Sequence, residues 1–268
     1  MAEASTAERG RRDTPEPPEP PPAPTRVRMP SVRTLVVTGV LLVLAAAAAV
    51  WLLYGSSWLR VERVTTSGTG VLTPAEVREA AGVPVGAPLV SVDTDAVEDR
   101  LRQKLPRIDS VDVVRSWPHG ISLKVTERKP VLVTEDARNS GKFLEIDRKG
   151  VRYATVDKAP RGVPRLELAP DTGGAAASLR RFGTDRLVRE AVRVAGRLPA
   201  RIAGDTRALK VRSYDAISLE LGGGRVVAWG SSEKSDAKAR ALVALMKAAP
   251  KARHFDVSVP TAPASSAS

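Results

Sequence analysis

Residues 34–53 read TLVVTGVLLVLAAAAAVWLL, twenty positions without a charge, and nothing else in the chain resembles them. At about 1.5 Å of rise per residue, a helix of that length reaches roughly 30 Å, the thickness of a bilayer's hydrocarbon layer. Trp51, Tyr54 and Trp58 gather at its far end, where amphipathic rings favour the headgroup region. A cleaved signal peptide is the alternative, with Ala45 to Ala47 as its small-residue site. The long tail upstream and the continuation through Val50-Trp51-Leu52-Leu53 favour an uncleaved anchor over 34–54. Arg11-Arg12 lies too far upstream, across a proline tract, to serve as a twin-arginine signal. The first expected partner is therefore a lipid bilayer.

Orientation is less constrained. Arg26, Arg28 and Arg33 precede the span, while Arg60, Glu62 and Arg63 follow it, a slight bias towards an internal N-terminus. With no cysteine in the chain, there is no disulfide framework from which to infer a redox compartment. The tail, 1–33, carries Pro15-Glu16-Pro17-Pro18-Glu19-Pro20-Pro21-Pro22 and almost no large apolar residue. Such a segment cannot offset its ordering entropy and is expected to be disordered with polyproline II character, as a solvated spacer or a proline-rich ligand.

Past the span, 58–128 predicts strand, helix, helix, strand, strand. Leu59-Arg-Val61-Glu-Arg-Val64 alternates and ends at Ser67-Gly68-Thr69-Gly70. Thr73, Pro74 and Glu76 make a helix start, with a hydroxyl cap, a proline in the first turn and an acid in the capping-box place. Gly82 stops that helix. A second helix opens at Asp93 to Asp95, carries Val97, Leu101 and Leu105 on one face, and ends before Pro106. Two alternating runs, Val111 to Arg115 and Ile121 to Glu127, flank the turn Trp117-Pro118-His119-Gly120. Three strands with two helices on one face form a small α+β module.

The segment 129–260 predicts a strand-rich β domain. Val131-Leu132-Val133, Phe143 to Ile146 and Val151 to Tyr153 suggest a meander. Leu187, Val188, Ala191, Val192, Ala195 and Leu198 have helical spacing. Strands follow at 209–211, 217–221 and 226–229, the last two joined through Gly222-Gly223-Gly224. A final helix carries Leu242, Leu245 and Met246, and a terminal strand runs Phe255-Asp256-Val257-Ser258-Val259 up to Pro260. The stretches 169–177 and 261–268 are expected to be a flexible connection and a disordered tail.

The ordered set of these pieces resembles the FtsQ/DivIB family of bacterial cell-division proteins, in an actinobacterial-type form. The matching residues include Gly68, Leu72 to Val77, Gly86 to Asp93, Arg115-Ser-Trp117-Pro118, Glu127-Arg128-Lys-Pro130, Ile146-Asp147, and Asp256-Val257-Ser-Val259-Pro260. The resemblance implies an α+β architecture of one membrane-spanning helix, a POTRA domain and a β domain. It implies a cytoplasmic tail, an extracytoplasmic body and enrichment at the division septum. It further implies binding of FtsB/DivIC-like and FtsL-like bitopic proteins, and through them an influence on FtsW/FtsI-type septal synthases. The partner strand would add to the edge of the last strand, which alignment at Asp256 sets at Phe255, Asp256, Val257, Ser258 and Val259. That strand has no lysine and no internal proline, so it is competent for strand addition.

Chemistry is poorly supplied. Two histidines and no cysteine argue against a zinc site or a histidine-based triad. Asp93 and Asp95 open a helix and are explained by capping. His254 and Asp256 share a strand face without any nucleophilic serine motif. The triple glycine lies between strands, where a turn is a better reading than a phosphate cradle. The formal net charge of +12 is spread over many elements and aromatics are 4% of residues, which disfavours nucleic acid. No enzyme, cofactor, metal or small-molecule substrate is expected. Arg115 and Arg128 flank the hairpin, where an ion pair to Glu127 or Asp112 is as good an expectation as partner contact. A membrane-anchored wall hydrolase and a chaperone for secreted clients are the competing functional classes.

Overall fold

The computed structural model describes residues 31–168 and 183–267; most of the tail and the 169–177 connection lie outside them. The chain divides at Trp51/Leu52. On the N-terminal side, α1 (Val32–Tyr54) is apolar on every face and wholly exposed until its last turns, as a helix solvated by lipid would be. Ser31 opens it, its hydroxyl accepting from Thr34 N–H at 3.3 Å.

The body holds two sheets, each with its own core. The first has β1 (Arg63–Ser67), β2 (Ile108–Ser116) and β3 (Gly120–Glu127) in the order β1-β3-β2, with β1 parallel to β3 and β2 antiparallel to it. The strand begins later than its alternation suggests, because Ser57–Leu59 winds into a 3₁₀ turn capped by Ser56. Helices α2 (Pro74–Ala81) and α3 (Thr94–Lys104) cover one face. Thr73 and Glu76 complete the capping box, and Gly82 closes α2 in the left-handed region. Asp93 caps α3 by accepting from Ala96 N–H at 3.0 Å. Val77, Leu101, Ile108, Ile121 and Leu123 fill the space between.

Among the described residues the second sheet has nine strands in the order β12-β11-β10-β9-β8-β7-β4-β5-β6. These are β4 (Leu132–Glu135), β5 (Phe143–Ile146), β6 (Arg152–Val156), β7 (Arg165–Leu168), β8 (Thr206–Ser213), β9 (Ala216–Leu221), β10 (Val226–Gly230), β11 (His254–Asp256) and β12 (Ala264–Ser266). Helices α4 (Thr184–Ala195), α5 (Ala200–Asp205) and α6 (Ser235–Ala248) pack on it. Leu187, Leu209, Leu219, Trp229, Leu242 and Phe255 lie in one buried cluster. The triple glycine forms a 3₁₀ turn joining antiparallel β9 and β10.

Two expectations about the C-terminus need correction. The terminal strand ends at Asp256, not Val259, because the Asp256 carboxylate accepts from Ser258 N–H at 2.9 Å and Ser258 Oγ at 2.6 Å, turning the chain. Residues 264–266, expected to be disordered tail, return as β12 and pair antiparallel with β11. Phe255 to Val259 is therefore not the edge of the sheet.

Candidate partner-binding edge

The end of the large sheet is built by a crossover. β10 leads through α6 into β11, which lies parallel to β10 with Val226 opposite His254 and Ala228 opposite Asp256. Phe255 and Val257 drop into the core at 3% and 0% exposure. Val259 O then accepts from Ala262 N–H at 3.0 Å, so Pro260 sits in a reverse turn that brings the chain back.

Backbone direction follows from a few bonds. Val226 N–H donates to Arg253 O at 2.8 Å and Val257 N–H to Ala228 O at 3.0 Å. The Arg253 C=O and the Val257 N–H thus face β10, the Arg253 N–H donates instead to Ser266 O at 3.0 Å, and by the two-residue period His254 and Asp256 turn their backbone groups towards β12. Their partners there are Ser266 and Ala264. The remaining residue, Ser265, directs its N–H and C=O outward, where no strand lies among the described residues. The open edge is Ser265 with its neighbours.

That edge is uncharged and exposed throughout. The opposite edge, β6, carries Arg152, which pairs with Asp185 at 2.9 Å, and its ladder slips in register beside Ile146. Charge and irregularity are how sheets blunt an edge; β6 has both, whereas β12 is uncharged and pairs with β11 in unbroken register. Beside β11, α6 turns Asp236, Arg240, Val243 and Lys247 to solvent. Its Lys238 is 2% exposed and donates to Ser231 O at 2.8 Å, and burial holds its ammonium below the usual lysine range.

The sequence-matched residues of the first module have internal partners. Gly68 has φ +82°, and a Cβ there would lie 2.0 Å from Val125 O, so only glycine fits. Arg115 donates to Leu89 O at 3.2 Å and Val92 O at 2.6 Å, pinning the segment before α3 to β2. Trp117 and Pro118, joined by a cis peptide, form the exposed β2–β3 turn. Glu127 accepts from the N–H groups of Gly70, Val71 and Leu72 at 2.7 to 3.1 Å. Burial alone would raise its pKa, but those donors hold it below 4.5. Arg128 donates to Pro106 O at 3.0 Å and pairs with Asp109 at 3.3 Å and with Asp147. Pro130 lies between β3 and β4, where no ladder bond is required.

Neither arginine uses Glu127 or Asp112, the acids nearest in sequence. Arg128 instead ties the two sheets together. Arg107 reinforces the junction by pairing with Glu145 at 2.9 Å and lying over the Tyr153 ring at 5.4 Å. Lys149 and Arg148 approach Asp109 as well.

One apolar helix, a βααββ module and a second sheet with an open, uncharged end define a membrane-anchored protein of the POTRA class. The FtsQ-type POTRA domain model matches residues 59–128. Cell division protein FtsQ of Streptomyces coelicolor is 66% identical over the full length of both chains, and that of Streptomyces collinus 68%. FtsQ of Mycolicibacterium smegmatis is 34% identical over 82% of this chain and 61% of that one. The extracytoplasmic domain of DivIB from Geobacillus stearothermophilus aligns with 46% of this chain and 94% of that chain, at 18% identity and a TM-score of 0.31, too slight a likeness to build on. The chain belongs to the FtsQ family of cell division proteins. It is a membrane-anchored, non-enzymatic component of bacterial division.

Proposed function

We propose that the chain is a division scaffold of the plasma membrane, its tail cytoplasmic, its body extracytoplasmic, concentrated at the septum. It accepts a strand from a small bitopic partner of the FtsB/DivIC type, with an FtsL-like protein alongside, and so conditions FtsW/FtsI-type septal synthases. The docking edge is the outer side of β12, in a β domain that extends past Pro260. The residues named from sequence, Phe255 to Val259, lie one strand inside it, with Phe255 and Val257 supporting the edge from the core. One observation carries this reading: the large sheet ends on an uncharged strand whose outward backbone groups are unpaired among the described residues.

The test is Ser265→Pro in the full chain. Proline removes the outward donor and sets its ring in the path of an incoming strand, while Ala264 and Ser266 keep their bonds to β11. Losing one strand bond and gaining that obstruction weakens capture of the FtsB/DivIC-like protein by about tenfold or more. Ser265→Ala leaves capture unchanged. Equal capture by the proline variant, with its unfolding midpoint intact, would remove β12 as the docking edge.

A further inference from the structure

Of the four tryptophans, Trp229 is fully buried and Trp51 lies in the span. The other two, Trp58 and Trp117, are 62% and 53% exposed, a costly state for the largest apolar side chains unless something else covers them. They lie 59 positions apart in sequence, yet the fold ties their segments together. Glu62 and Arg63 donate their N–H groups to His119 O at 2.9 and 3.2 Å, and Arg63 is in register with Gly120. The Trp58 and His119 rings meet edge to face with centroids 6.3 Å apart. The Trp117-Pro118-His119 turn is thereby fixed to the stretch through which the chain enters β1.

That stretch starts close to lipid. α1 ends at Tyr54, and four residues reach about 14 Å at full extension, less through a 3₁₀ turn. Trp58 is thus tethered within reach of the headgroup layer, and the hairpin is bound to Trp58's own segment. Indoles favour that layer because the ring is apolar and the N–H can find an acceptor there. Arg60 and Arg63 follow Trp58 closely in sequence and suit anionic headgroups.

We infer that the β2–β3 turn seats in the headgroup layer of the bilayer that holds α1, with Trp58 and Trp117 as its two interfacial side chains. This goes beyond the scaffold reading and does not use the β12 edge.

The chain has no cysteine, so one introduced thiol is unique. Ser116→Cys, at the exposed end of β2, and Lys124→Cys, four residues up β3 from the turn, each carry a nitroxide in full-length protein reconstituted into phosphatidylcholine/phosphatidylglycerol bilayers. The ratio of oxygen to nickel-chelate accessibility should be several-fold higher at 116 than at 124. Adding Trp58→Ala and Trp117→Ala should lower the value at 116 towards that at 124. Equal ratios at the two sites overturn the inference. So does a high ratio at 116 that survives loss of both indoles, or one that appears only when a second protein is co-reconstituted.

Discussion

Arg128 is where the two halves of the body are joined, and Arg128→Met tests that junction. Methionine keeps most of the apolar stem but removes the guanidinium from Asp109 and Asp147, whose side chains are 13% and 3% exposed. Breaking a buried pair by deleting one partner costs about 3–5 kcal/mol. Here Asp147 Oδ1 keeps the N–H groups of Lys149 and Val151 at 2.8 and 2.9 Å, and Asp109 keeps Lys149. The lower end of the range applies, about 3 kcal/mol. For a body of this size that is a fall in melting temperature of roughly 6–12 °C. Urea unfolding of full-length protein in micelles, followed by tryptophan emission, reads it. Asp147→Asn in the variant background should then cost at least about 1 kcal/mol less than in the parent, because no counter-charge remains to be stranded. A midpoint within about 0.5 kcal/mol of the parent, or additive single and double substitutions, would refute the junction.

Gly68→Ala combines a positive φ with a Cβ 2.0 Å from Val125 O; it should cost about 3 kcal/mol or more and lower the urea midpoint of the first module. Glu127 and Asp109 both titrate below their ordinary 4.5 and 3.8. Among the causes at Asp109, the Lys149 hydrogen bond is largest. Lowered carboxylate values mean stability fully present above the unfolded pKa and lost as pH falls through the folded one. The midpoint should therefore stay level above about pH 5 and drop below about pH 4, and Glu127→Gln should flatten part of that drop. Trp229 has its indole N–H buried without an acceptor, so Trp229→Phe forfeits volume but no hydrogen bond. It should cost under about 1.5 kcal/mol where Trp229→Ala costs 3–5, measured by the same unfolding curves.

What the sequence disclosed was local. The span is one contiguous run, and the Thr73-Pro74-Glu76 start, the Gly82 stop, the Asp93 cap and the hairpin around Pro118 each depend on residues close together in sequence, so composition and spacing are enough. The end of the large sheet was not legible. Ala264-Ser265-Ser266 has neither alternation nor β-branched residues, and it becomes a strand only because β11 offers a ladder. Arg165 to Leu168 escaped notice for the same reason: four residues, held by parallel neighbours far away in sequence. Arg115 and Arg128 carried a family match but no hint of their partners, which lie 19 to 26 positions distant. Those distances are set by topology, and topology also puts β12, not the strand ending at Asp256, at the end of the large sheet.

Hydrogen exchange at the Ser265 amide bears most directly on whether this chain receives another's backbone. In the protein alone the amide faces solvent and should exchange quickly, while Ala264 and Ser266, bonded to β11, exchange more slowly. With the FtsB/DivIC-like partner bound, Ser265 should become protected to the level of its neighbours and β6 should not change. Protection that falls on β6, or none at Ser265 in a complex that demonstrably forms, would contradict the account.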